Sequence, residues 1–278
     1  MARACSRPAV TRVVSAFCIL ALMGACTATP TAPSPPTGVA PDLAPTGKLR
    51  AAINLGNPIL AVRDPATREP RGVSVDLARE LGKRLSIPVE LVVFESAGNV
   101  VAGQKAGAWD VAFLAIDPAR ASELRFTAPY VVIEGSYLVP DRSPIRSNAD
   151  VDRTGVRVVV GAGSAYDLYL SRELKQATLV RAPTSPAVTD MLVAQRLDVA
   201  AGVTQQLEAD ARRVPGVRLL DGRFMVINQA MATPQSRHAG ANYLDAFVEE
   251  MKASGFVAKS LRDNGITGAA IAPPSLAR

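Results

Sequence analysis

The chain has 278 residues, 48% hydrophobic, 20% charged and only 5% aromatic, with 31 Lys and Arg against 25 Asp and Glu, one His and three Cys. Three of the excess positive charges, Arg3, Arg7 and Arg12, fall near the start, and elsewhere both signs are interspersed; this excludes nucleic-acid binding, which needs a concentrated basic face and stacking aromatics. Cys5, Cys18 and Cys26 all lie in the first part of the chain and His238 stands alone in a polar turn, so a disulfide, a thiolate nucleophile, a zinc site and any bound cofactor are not expected in the remainder.

The three arginines precede an apolar run from Val13 to Ala25, broken only by Ser15. It is shorter than the roughly 20 residues a membrane-spanning helix needs. A charged start, a short apolar segment and small residues behind it mark residues 1–25 as an export signal. Leu22, Met23, Gly24, Ala25 and Cys26 resemble a bacterial lipobox, with Met23 in place of the usual leucine; Cys26 is then the lipidation site and the only link to the membrane. Cleavage nearby by an ordinary signal peptidase is the alternative. Residues 26–46, rich in Pro, Ala and Thr with almost no charge, are expected to be an extended tether, since they bury too little to offset their ordering entropy.

Short β-branched runs then alternate with helical patterns. Leu49–Ile53 reads as a strand, and Val75, Leu77, Ala78, Leu81 and Leu85 recur at helical spacing before Pro88. Val89–Phe94 reads as a strand, Val100–Ala106 as a short helix and Trp109–Ile116 as a buried strand. This order predicts a mostly parallel sheet with helices on its faces. The grammar restarts with a strand at Gly155–Gly161, a helix at Ser164–Leu174, a strand at 177–182, a helix at Ser185–Leu197 and a strand at Asp198–Val203. A helix at 205–213, a short strand at 217–220 and two helices, Gly240–Gly255 and Phe256–Gly265, complete the pattern. The tail from Gly268 is expected to fray. Two long extended runs, Ala128–Pro140 and Phe224–Pro234, look like strands crossing between two lobes, which makes a hinge with a ligand cleft.

From Gly47 to about Gly265 the chain resembles the polar amino-acid family (family 3) of bacterial periplasmic solute-binding proteins. The pieces that carry the resemblance are GKLRAAI, RGVSVDLARELGKRL, AWDVAFLAIDPARASELRFTAPY, GVRVVVGAGSAYDLYL, VAQRLDVAAG and ASGFVAKSLRDNG. It implies an α/β, type II two-lobed fold: lobe 1 from 47–134, lobe 2 from 135–227, and a return to lobe 1 over 228–278. It also implies a monomer that delivers a small molecule to an ABC transporter permease, by closing around it and shifting the population of the closed state.

The resemblance further implies ligand-binding roles. Arg120 matches the arginine that grips the ligand's carboxylate, a task suited to a planar fork, although the Asp110–Arg120 spacing is about two residues shorter than usual. A surface pairing of Arg120 with Asp117 or Glu123 is the alternative. Gly163 and Ser164 match the turn whose free amides at a helix N-terminus meet the same anion. The grip on an ammonium does not carry over. Val203 stands where an aspartate is usual, Asn54 where lobe 1 often has an acid, Asn57 near a usual aromatic cover, and Ala115 near a hydroxyl that assists the arginine. A buried ammonium without a counter-charge is costly, so the expected ligand is anionic or neutral, a small carboxylate, unless Glu134, Asp117 or Asp167 supplies the charge. The competing functions are an enzyme on the same scaffold, resembling cyclohexadienyl dehydratases, and a sensor feeding a membrane kinase.

Overall fold

The computed structural model describes residues 1–2 and 37–275. The chain divides into Met1–Pro33 and Ser34–Arg278, and the fold below is that of the second unit. The expected signal beyond Ala2, the candidate lipidation site Cys26 and the tether as far as residue 36 lie outside the described residues.

The remainder of the expected tether is not extended. Helix α1 (Val39–Leu43) is a single turn that sets Val39 and Leu43, four apart and so on one face, at 2% and 0% exposure. It docks on the helix His238–Ala253, where the Asp42 carboxylate accepts from the Gly240 amide at 3.0 Å. Burial of two aliphatic side chains outweighs a Pro-rich composition that taken alone favours extension.

Strand β1 (Leu49–Asn54), a small hairpin of β2 (Val62–Arg63) and β3 (Pro70–Arg71), helix α2 (Val73–Leu85) and β4 (Val89–Phe94) follow. The helix buries Leu77, Ala78, Leu81 and Leu85 and stops at Ser86, whose φ of 55° is left-handed. Helix α3 (Ala97–Lys105) starts earlier than the expected Val100, because the Ser96 side chain caps it by accepting from the Asn99 amide at 3.2 Å. Strand β5 (Val111–Ala115) is buried along its whole length, as an apolar run in a covered parallel sheet must be. A one-turn α4 (Pro118–Ala121), capped by Asp117 with proline at its first position, leads into the 17-residue strand β6 (Leu124–Pro140).

The second half holds β7 (Arg157–Gly161), α5 (Ala165–Glu173), β8 (Thr178–Ala182), α6 (Val188–Ala194), β9 (Val199–Val203), α7 (Thr204–Arg213) and β10 (Val217–Leu219). Helix α6 is shorter than expected: Pro186 sits in a 3-10 turn over Ser185–Ala187 before it, and Arg196, with φ of 50°, closes it. Strand β11 (Met225–Pro234) then returns to the first half, which is finished by α8 (His238–Ala253), α9 (Phe256–Asp263) and β12 (Ala270–Ile271). His238 is exposed at the start of α8. The tail does not fray where expected: β12 pairs with Val131 and Val132 of β6, Ala272 is 3% exposed, and the Lys252 ammonium donates to the Pro273 carbonyl at 2.9 Å.

Among the described residues, ten strands form one sheet in the order β4-β1-β5-β11-β6-β9-β7-β8, with β10 and β12 added on β6, while β2 and β3 pair with each other alone. The β4-β1-β5 and β9-β7-β8 ladders are parallel, while β11 runs antiparallel to β5 and β6. Strand β6 pairs with β11 from Leu124 to Gly135 and with β9 from Gly135 to Leu138. The two long extended runs are thus the pair that joins two α/β halves, as their composition predicts.

Candidate ligand-binding site

A cavity lies between the halves, at the C-terminal ends of β1, β5 and β9 and the N-terminus of α5, the end of parallel strands where ligands of open α/β sheets bind. It encloses about 30 Å³, space for a water molecule or two. Arg120 forms part of its wall and is only 3% exposed, so the surface pairing with Asp117 or Glu123 is not what the fold builds. Its guanidinium donates through Nη1 to the Ala115 carbonyl at 2.8 Å and through Nη2 to the Gly163 carbonyl at 2.8 Å. Its Nε is buried with no partner. Burial lowers the Arg120 pKa to about 10, against an upward pull from Asp117. The group stays charged at neutral pH, with one donor unused and no carboxylate hydrogen-bonded to it.

The bond from Arg120 to Gly163 joins the halves, and two further contacts reinforce it. Asp117 of the first half pairs with Arg172 of α5. Gly163, at φ of 67°, packs against Gly98 of α3 so closely that a side-chain carbon on Gly163 would lie 2.7 Å from the Gly98 Cα. The absence of a Cβ at Gly163 allows this backbone contact.

The amides of Gly163 and Ser164 are not the free donors expected. Gly163 N–H donates to Asp167 Oδ2 at 2.8 Å, and Ser164 N–H to the Gly161 carbonyl at 3.0 Å. The φ of Gly163 turns the chain back on itself, which brings its amide to Asp167 one turn into the helix. Ser164 caps α5, its hydroxyl accepting from the Asp167 amide at 3.1 Å. Ser164, Ala165 and Tyr166 line the cavity, so the donor end of α5 faces it one residue further along. By position the amides of Ala165 and Tyr166 have no acceptor inside the helix.

Asn54, Asn57, Ala115 and Val203 also line the cavity. Asn54 Oδ1 accepts from the Gly56 amide at 2.9 Å and Asn57 Oδ1 from the Ile59 amide at 3.3 Å. Each asparagine spends its acceptor on its own loop and keeps its NH₂ group as a donor. Asp117 and Gly163 stand just behind the wall and act on it through their contacts with Arg172 and Arg120. No Asp, Glu or His lines the cavity. The three acids considered as counter-charges for an ammonium are engaged elsewhere: Asp117 with Arg172, Asp167 with Arg181 and the Gly163 amide, and Glu134 with Arg223.

Sequence reasoning missed Tyr166, Ser185, Ile227 and Gln229, as well as Gly56, Ala97, Leu114 and Ala165, in the wall. Gln229 and Ile227 come from β11, whose place beside β5 no local pattern reveals. Ser185 is brought in because Gly161, lacking a Cβ, lets it approach: a carbon there would lie 2.7 Å from the Ser185 hydroxyl.

Residues 49–263 match the model of the bacterial extracellular solute-binding proteins, family 3. The chain belongs to that family. Its members bind solutes outside the cytoplasm, and this family 3 protein shares the two-lobed fold of solved relatives. An amino-acid ABC transporter substrate-binding protein from Streptococcus pneumoniae, bound to L-arginine, is 20% identical over 80% of this chain and 96% of its own, with a TM-score of 0.69. The solute receptor for L-cysteine of Neisseria gonorrhoeae is 21% identical over 78% and 89%, TM-score 0.69. An ancestral amino acid-binding protein described as a precursor of cyclohexadienyl dehydratase is 21% identical over 80% and 96%, TM-score 0.68. No curated protein matches the chain in sequence.

Proposed function

We propose that this family 3 protein captures a small anionic solute, a carboxylate without an ammonium group, and delivers it to an ABC importer from a lipid anchor at Cys26. The observation that carries the reading is the polarity of the cavity wall. It holds one buried cation with an unused donor, Arg120 Nε, two asparagine NH₂ groups and no acid. An ammonium buried there would lack any counter-charge, a cost of several kcal/mol on the order that unpaired buried ions carry. A carboxylate would pair with the guanidinium and take up its unused donor. The amino acids held by related proteins have a second, positive group for which this wall offers no counter-charge.

Isothermal titration with a panel of small organic acids and a panel of plain α-amino acids tests the reading. Binding by the acids alone, at about micromolar Kd and lost in Arg120→Met, is the expected result. Micromolar binding of several amino acids by the wild type overturns it.

The dehydratase reading has one relative in its favour and the wall against it. General acid–base catalysis needs a group that titrates near neutral pH beside the substrate, and Asp, Glu and His are all absent from the wall. Turnover of prephenate above the uncatalysed rate would reinstate the enzyme.

A further inference from the structure

The second half of the cavity holds another orphaned group. Tyr166 is 2% exposed and its hydroxyl is buried with no hydrogen bond. Ser185, Ser164 and the Gly161 amide surround that hydroxyl closely enough to act on it as donors, though none makes a full hydrogen bond to it. Ser164 and Ser185 line the cavity with it. The Ser164 oxygen already accepts from Asp167 N–H, so its own proton is free to donate. The cluster is built in: the missing Cβ of Gly161 admits Ser185, and the turn at Pro186 presents it. A buried hydroxyl left without a partner costs on the order of 1–3 kcal/mol, so a tyrosine, where phenylalanine would fill the same space, has a use.

We infer that Tyr166, assisted by Ser185, is a specificity-determining residue that reads a second oxygen on the ligand, whose carboxylate sits at Arg120. This rests on the anion-receptor reading above and narrows its substrate class to small hydroxy, oxo or dicarboxylic acids. Arg120 Nε and the Tyr166 hydroxyl are orphaned donors from opposite halves, so a ligand with an oxygen at each end satisfies both only when the halves are together. A simple fatty acid would satisfy the first and leave the second bare.

The test is titration calorimetry with butyrate, 2-hydroxybutyrate, 2-oxobutyrate and succinate, which share a four-carbon chain. In the wild type the acids with a further oxygen bind about tenfold or more tighter than butyrate. Tyr166→Phe removes about tenfold from those acids and leaves butyrate within about twofold. Ser185→Ala, on a half-exposed turn that tolerates truncation, gives a smaller loss with the same selectivity and serves if the tyrosine variant does not fold. Equal losses across all four probes would reveal a packing role and overturn the inference. So would unchanged binding of the oxygen-bearing acids while Arg120→Met still abolishes it. Failure of the wild type to bind any of the four, with amino acids bound instead, sinks the anion-receptor reading itself.

Discussion

Asp117 and Arg172 meet across the cleft in a two-point ion pair, Nη1 to Oδ1 at 3.2 Å and Nη2 to Oδ2 at 2.8 Å. Asp117 also caps α4, one turn before Arg120, by accepting from the Ala119 amide at 2.9 Å. The same carboxylate thus orients the helix that carries Arg120 and ties it to the opposite half. Closure and the shape of the site are coupled through one side chain.

Arg172→Gln separates closure from binding chemistry, because Arg172 is not part of the cavity wall. Its side chain is 41% exposed, so the pair is worth about 1 kcal/mol, as partly solvated ion pairs are. Ligand affinity should fall about fivefold. Small-angle scattering of the free protein should show a larger radius of gyration than the wild type.

Gly163→Ala and Gly98→Ala form a contrasting pair. A Cβ on Gly163 meets the Gly98 Cα at 2.7 Å and sits on a φ of 67°, whereas one on Gly98 meets its nearest atom, the Ala162 carbonyl oxygen, at 3.4 Å. The first variant should bind at least about tenfold more weakly, with a stability loss of about 1 kcal/mol from backbone strain. The second should bind within about twofold of wild type. Calorimetry together with thermal melts reads both quantities.

The affinity for an anion should be flat with pH from about 6 to 9 and fall above about 10, where the free Arg120 loses its proton. An anion prefers the charged guanidinium, so binding raises that pKa and weakens as the proton leaves. The stability term has the opposite sign. Above about 10 the unfolded chain still holds a proton on this arginine that the folded chain has released, so the contribution of Arg120 to folding stability rises with pH there. Titrations at stepped pH, with urea melts of the free protein, check both trends.

Val203→Asp places an acid on the wall opposite the first half, at the position where the family usually carries one. Weakening of the organic-acid ligand by about tenfold or more, with new binding of small α-amino acids, is the expected outcome. Unchanged selectivity would show that Val203 does not face the ligand's second group.

Leu43→Ala tests the docked turn at the start of the folded unit. The side chain is 0% exposed and packs in the main core, so the loss should be about 2–5 kcal/mol. A chain beginning at Gly47 should melt at a lower temperature for the same reason. A plain tether would give no change in either case.

The central strands β5 and β9 were legible in the sequence because each is an apolar run with no exposed position, while the outer strands β4 and β8 were legible from their β-branched residues although they are only partly buried. Helix α2 was legible from its spacing and from Pro88 behind it. Arg120 was found only through resemblance to a family, since local chemistry left a surface ion pair equally open. The site as a whole was less visible, because its wall collects one or two residues each from β1, α3, β5, α4, α5, β9 and β11. Tyr166 follows Ser164 by two positions and reads locally as a helix residue; its orphaned hydroxyl is a property of packing alone. Helix α1 and strand β12 were missed because each is held by tertiary contacts, to α8 and to β6, and neither has a local signal long enough to announce it.

The single strand β6 changes partner at Gly135, from β11 to β9, without a break. Any swing of one half against the other must be taken up as torsion in β6 and β11 at that crossing, and neighbouring backbone bonds resist every other distortion. The halves are confined to one arc in place of a free joint. A partner that grips both halves at once therefore measures one angle, and that angle alone reports whether the receptor is full.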